Sequence, residues 1–135
     1  MVSQTTHVYK TAGSLEIVLD IYTRASDLSD KRYNDTTPVV LFFHGGGVVS
    51  HDRRLLPPHI PQSCLLRGWP LVSADYRLFP QATGLDLLED VTDAYKFVRE
   101  KLPEILDIGK GPMKNIIVAG SSAGIVSRSL KCDFI

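Results

Sequence analysis

The chain has 135 residues, which is room for at most one domain. Lysine plus arginine and aspartate plus glutamate both count 15, so the formal net charge is zero. That balance excludes the clustered basic footprint of a nucleic-acid reader and an acidic solvating tail. Two cysteines, Cys64 and Cys132, build neither a disulfide framework nor a metal-ligand spacing, so no metal is expected.

The first ten residues are polar and lack the apolar run of a signal peptide. The longest apolar run, residues 39–43, is too short to span a bilayer. A cytoplasmic protein is the expectation. Along the chain, Leu15, Ile17, Leu19 and Ile21 alternate with Glu16, Val18, Asp20 and Tyr22, the period of a strand. Ala12-Gly13 before it predicts a turn from a shorter strand over residues 7–10, hence an N-terminal antiparallel hairpin. Residues 24–38 are polar, with Asp, Asn and Ser clusters, and read as a loop.

Residues 39–43 (Val-Val-Leu-Phe-Phe) are continuously apolar, as in a parallel strand covered on both faces. They run into His44-Gly45-Gly46-Gly47, after which His51 and His59 are assigned to a loop. Residues 71–74 predict a second short strand, ending at Asp75-Tyr76-Arg77. Residues 115–119 predict a third, ending at Gly120-Ser121-Ser122-Ala123-Gly124. Between the last two, Leu87, Leu88, Val91, Ala94, Tyr95 and Val98 form one helical stripe. Acidic residues near its start and Lys96, Arg99 and Lys101 toward its end suit the helix dipole. Strand, helix and strand in that order predict a βαβ unit in an α/β sheet.

Two of these strand ends carry chemistry. Residues 120–124 match G-x-S-x-G, in which a turn from strand to helix is so tight that only small residues fit beside the serine. The turn lifts the Ser122 hydroxyl above the sheet, at a helix N-terminus that favours developing negative charge. In His44-Gly45-Gly46-Gly47, glycines after a strand let backbone N–H groups turn toward an oxyanion unobstructed. A plain turn and a phosphate cradle are the alternatives for the glycines. The cradle lacks its marks, since no Gly-Lys-Ser/Thr follows and G-x-G-x-x-G is absent.

With Asp75-Tyr76-Arg77-Leu78-Phe79-Pro80 between them, these segments resemble the hormone-sensitive-lipase-like esterases and lipases of the α/β-hydrolase fold. The resemblance covers roughly residues 15–124. It implies the N-terminal portion of that fold, a mostly parallel sheet with an N-terminal antiparallel hairpin, truncated after the nucleophile turn. By position it implies that Ser122 attacks an ester carbonyl and that Gly45, Gly46 and Ala123 supply the oxyanion-binding N–H groups. His44, Gly47, Asp75, Tyr76, Arg77, Gly120 and Gly124 would support the motifs. The expected substrate is a small-molecule acyl ester, with no nucleic-acid partner and no cofactor.

The resemblance also sets an expectation about activity. A serine needs a base, and in this fold the order along the chain is Ser, then Asp or Glu, then His. All four histidines, His7, His44, His51 and His59, precede Ser122, and the residues after Gly124 hold Asp133 but no histidine. Residues 1–124 are therefore expected to be a partial hydrolase domain and residues 125–135 a divergent tail. The chain alone is expected to be inactive. The other reading is a non-catalytic fragment that binds a partner through an exposed sheet edge.

Overall fold

A computed structural model of the chain describes residues 1–122. Ala123, Gly124 and the proposed tail over residues 125–135 lie outside the described residues. The predicted hairpin is present and longer than its sequence signal: β1 (Val2–Ala12) pairs antiparallel with β2 (Leu15–Arg24). Gly13 turns the corner with φ 61°, a conformation open to glycine at little cost. On β2, Ile17, Leu19 and Ile21 are buried, as the alternation predicted. Asp20 is buried as well, on the other face, where it accepts hydrogen bonds from Thr6 and Gln4 and pairs with Arg53 at 2.9 Å.

The reading of residues 24–38 as loop is corrected by a short helix, α1 (Ala25–Ser29). Arg24 forms a two-pronged bond to the buried Asp27 of that helix, at 2.9 and 2.8 Å. After β3 (Val39–Phe43) the loop assigned to His59 is corrected too, because His59 opens α2 (His59–Arg67). Then come β4 (Leu71–Ala74), α3 (Gly84–Glu100), α4 (Leu102–Ile105) and β5 (Ile116–Gly120), the last one residue later than predicted. Among the described residues no helix is long and apolar enough to cross a membrane.

The strands form one mixed sheet in the order β1-β2-β4-β3-β5. β3 pairs parallel with both β4 and β5, while β2 runs against β1 and β4, so only β2 is reversed. Successive side chains of a strand point to opposite faces, and here each face has its own core. Val39, Leu41 and Phe43 pack with Leu87, Val91, Ala94 and Val98 of α3. Val40 and Phe42 pack with Cys64 of α2 and with Leu71.

The helical stripe predicted for α3 is its buried face, with Leu88 and Tyr95 at the margins. Thr83 and Asp86 cap its start reciprocally, each side chain accepting from the other's backbone N–H. Asp90, read from the sequence as part of an acidic helix start, is fully buried. It meets Lys10 of β1 at 3.1 Å and Arg77 at 2.8 Å, which ties α3 to β1 and to the stretch after β4.

Candidate active site

The parallel register sets two turns side by side. Phe43 is level with Ala74 on one flank and with Gly120 on the other, so β3, β4 and β5 end at the same height. The carboxyl ends of parallel strands are where open α/β sheets bind ligands. The ladder continues one rung past the strands, with the Ser121 N–H donating to the Phe43 carbonyl at 3.2 Å.

Beyond that rung stands Ser122, exposed, with φ 52°. A serine in this left-handed region is strained by roughly 1–3 kcal/mol, and such residues cluster at functional sites. Gly45 lies directly against it. A Cβ on Gly45 would stand 2.9 Å from the Ser121 carbonyl oxygen and 3.3 Å from Ser122 Cβ, so the position has no room for a side chain.

The glycine segment is bent well beyond its glycines. Gly46 (φ 115°), Gly47 (67°), Val48 (58°) and His51 (70°) all lie in the left-handed region, where a β-branched valine is an outlier. A Cβ on Gly46 would collide with the Ser50 carbonyl and stand 2.8 Å from His51 Nδ1. Side chains hold this path in place. Ser50 Oγ donates to the Gly46 carbonyl at 2.9 Å, His44 Nδ1 donates to the Gly45 carbonyl at 2.6 Å, and the Tyr76 hydroxyl donates to the His44 carbonyl at 2.6 Å. The Phe79 N–H reaches the Val48 carbonyl at 2.8 Å, joining the glycine segment to the stretch after β4. Among the described residues, the N–H groups of Gly45, Gly46 and Gly47 have no hydrogen-bond partner.

His44 is fully buried, and its ring stacks on Tyr76 with centroids 4.3 Å apart and planes 10° apart. Burial lowers its pKa, which keeps the imidazole neutral, and burial pushes the Tyr76 hydroxyl up to about 12, which keeps it a donor. Asp75 accepts from the Arg53 N–H at 2.7 Å and from its guanidinium at 2.8 Å. Arg77 grips Asp90 through its guanidinium, at 2.9 and 2.8 Å. Gly120 ends β5 opposite Phe43, and Gly47 sits exposed within the bend.

The structure therefore brings Gly45 and Ser122 together and aligns His44 and Tyr76 behind them, while Asp75 and Arg77 face neighbouring charges. His51 borders a groove of about 340 Å³ together with Leu15, Ile17, Tyr76, Leu78 and Ala82. His59 is exposed at the start of α2. Sequence reasoning missed Ser50 and Arg53. The polar run Ser50-His51-Asp52-Arg53 directly after an apolar pair was the available signal. Among the described residues no group of three His, Cys, Asp or Glu is placed to hold a metal ion.

The BD-FAE family matches residues 19–128. A non-reducing polyketide synthase of Acremonium egyptiacum, ascC, is 32% identical over 126 residues, which are 90% of this chain and 6% of that protein. A probable carboxylesterase, M8, of a Phoma species is 31% identical over 111 residues, covering 74% of this chain and 35% of that one. Among solved structures, a thermophilic esterase of Thermogutta terrifontis is similar with a TM-score of 0.70 and 28% identity, over 89% of this chain and 40% of that one. The chain spans well under half the length of each.

Proposed function

Because this chain belongs to the BD-FAE family, hormone-sensitive-lipase-like esterases with the α/β-hydrolase fold, we propose that it carries the nucleophile and oxyanion half of a serine carboxylic-ester hydrolase. Ser122 Oγ would attack the carbonyl carbon of a small acyl ester. The carbonyl oxygen then becomes an oxyanion held by the N–H groups of Gly45, Gly46 and Ala123. Collapse of this tetrahedral species expels the alcohol and leaves an acyl-serine, which water hydrolyses. Acyl transfer of this kind needs no metal or organic cofactor. One observation carries the reading: Gly45, whose N–H has no partner among the described residues, lies against a serine in the left-handed conformation, one rung beyond a parallel strand.

The proton of Ser122 has no acceptor among the described residues. His44 is buried against Tyr76 with its Nδ1–H committed to Gly45, and its Nε2, the ring atom that could take a proton, is buried without a partner among the described residues and so does not meet Ser122. A serine without a base is a weak nucleophile, so the chain by itself is proposed to lack turnover. A second reading, a non-catalytic binding protein, is favoured by the exposure of Ile117 on β5, which presents apolar surface at a sheet edge.

The test is labelling of the purified chain with a fluorophosphonate, mapped by mass, with and without added imidazole. Alone, the folded chain is expected to label negligibly. Imidazole supplied as base should raise the rate at Ser122 by at least about tenfold, since general bases contribute about 100- to 10,000-fold in intact sites, and Ser122→Ala should abolish the signal. Fast labelling without imidazole would overturn the proposed inactivity. No labelling with imidazole, in a chain folded by circular dichroism, would leave the binding reading.

A further inference from the structure

A trans peptide unit points its C=O and its N–H in opposite directions. Whatever grips the carbonyl of one residue therefore aims the N–H of the next. Three consecutive carbonyls here, of His44, Gly45 and Gly46, each accept a hydrogen bond: from Tyr76 Oη at 2.6 Å, His44 Nδ1 at 2.6 Å and Ser50 Oγ at 2.9 Å. The peptide units they belong to end in the N–H groups of Gly45, Gly46 and Gly47, and these are the groups without partners among the described residues. Glycine has the freest backbone of any residue, so a run of three would sample many amide orientations unless something outside it fixed the planes.

We propose that Tyr76 and Ser50 are positioning residues for ester hydrolysis: Tyr76, by holding the His44 carbonyl, aims the oxyanion-binding N–H of Gly45 beside Ser122, and Ser50, by holding the Gly46 carbonyl, fixes the peptide plane that follows Gly46 and so steadies the residue whose N–H is the second donor. The inference rests on the reading of Ser122 as nucleophile. Tyr76 is suited to the task because its ring is buried and stacked on His44, which leaves its hydroxyl little freedom. Ser50 is suited because the turn that brings it back to Gly46 is closed, with the Val49 N–H also donating to the Gly46 carbonyl at 3.3 Å and His51 Nδ1 lying 2.8 Å from Ser50 Oγ. Neither residue touches the reacting atoms in this scheme. Each acts through a plane it holds from behind.

Two measurements on the full chain test it. In amide spectra of nitrogen-15-labelled protein, Tyr76→Phe should move the signal of Gly45, and Ser50→Ala that of Gly47, more than those of glycines remote from the bend, such as Gly13 and Gly109. This readout does not depend on hydrolysis. In imidazole-assisted fluorophosphonate labelling, Tyr76→Phe should slow Ser122 by about tenfold, the equivalent of one lost hydrogen bond. Ser50→Ala should slow it several-fold, and Ser50→Thr, which keeps the hydroxyl, should restore most of the rate. Unmoved glycine signals overturn the proposal, as do wild-type labelling rates in folded variants. If the wild-type chain does not label even with imidazole, the hydrolase reading fails and the glycine signals alone decide whether the planes are held. If Tyr76→Phe does not fold, the Ser50→Ala and Ser50→Thr pair decides.

Discussion

β3 and β5 look interchangeable on paper. Each is five residues long, apolar from end to end, and they are paired with each other rung for rung from Val39↔Ile116 to Phe43↔Gly120. Yet every residue of β3 is buried, and none of β5 is. The contrast is sharpest on one rung: Val40 is 8% exposed and its partner Ile117 is 44% exposed. β3 has a strand on either side and a helical layer on both faces. β5 has one strand beside it among the described residues, and the core that Cys64 of α2 shares with Val40 and Phe42 reaches only its Ala119. Apolar sequence states what a strand can bury, whereas neighbours decide what it does bury.

The comparison predicts unequal costs for similar truncations. Leu41→Ala, in the middle of β3, should lose about 2–5 kcal/mol in urea unfolding, as fully buried leucines do. Next in size is a gain at the far end of β5: Ser122→Gly should stabilise by about 1 kcal/mol, because glycine adopts φ near 52° without strain. Ile117→Ala should fall within about 0.5 kcal/mol of wild type in the same titration. A loss there as large as that for Leu41 would break the comparison and mean that something covers β5 in solution.

The gentlest expected effect is a slope with pH. Burial lowers the His44 pKa below its ordinary 6.5, so at mildly acid pH the unfolded chain takes up a proton that the folded one refuses. The contribution of His44 is therefore intact above about 6.5 and is lost as pH falls through the lower folded value. Unfolding midpoints between pH 8 and 5 should decline less in His44→Gln than in the wild-type chain, and equal declines would refute the assignment.

Much of the fold was legible because period and punctuation agreed. β3 and β4 end where the apolar runs end, and the stripe of α3 is its buried face. α2 was hidden because Cys64 is its one fully buried side chain, Leu66 is 77% exposed, and Pro57, Pro58 and Pro61 read as punctuation. Proline is nonetheless tolerated in a first helical turn, where Pro61 of α2 lies. α1 has five residues and no side-chain cap, too little for any period to show.

At the candidate site the sequence named the glycines and Ser122, because small residues after a buried strand are conspicuous. What it could not show is how far the left-handed bend continues: Val48 and His51 carry side chains that ordinarily avoid that region. Nor could it show which side chains brace the bend. The bonds from Ser50 and His44 depend on the shape of the bend, and the bond from Tyr76 on two strands lying in register.

That register has a consequence for anyone wishing to reshape the protein. The rung Phe43↔Gly120, extended by the Ser121 N–H to the Phe43 carbonyl, works as a ruler. Deleting one residue from β5 would leave two poor choices. The strand could keep its pairing and draw a different residue into the place of Ser122, or it could slip by one and turn every side chain to the opposite face. The turn around Gly109 and Gly111, between α4 and β5, carries no such constraint from the ladder, and a side chain at either glycine would meet open space. Grafts that trade one loop for another can be placed there, while the length of β5 must stay as it is.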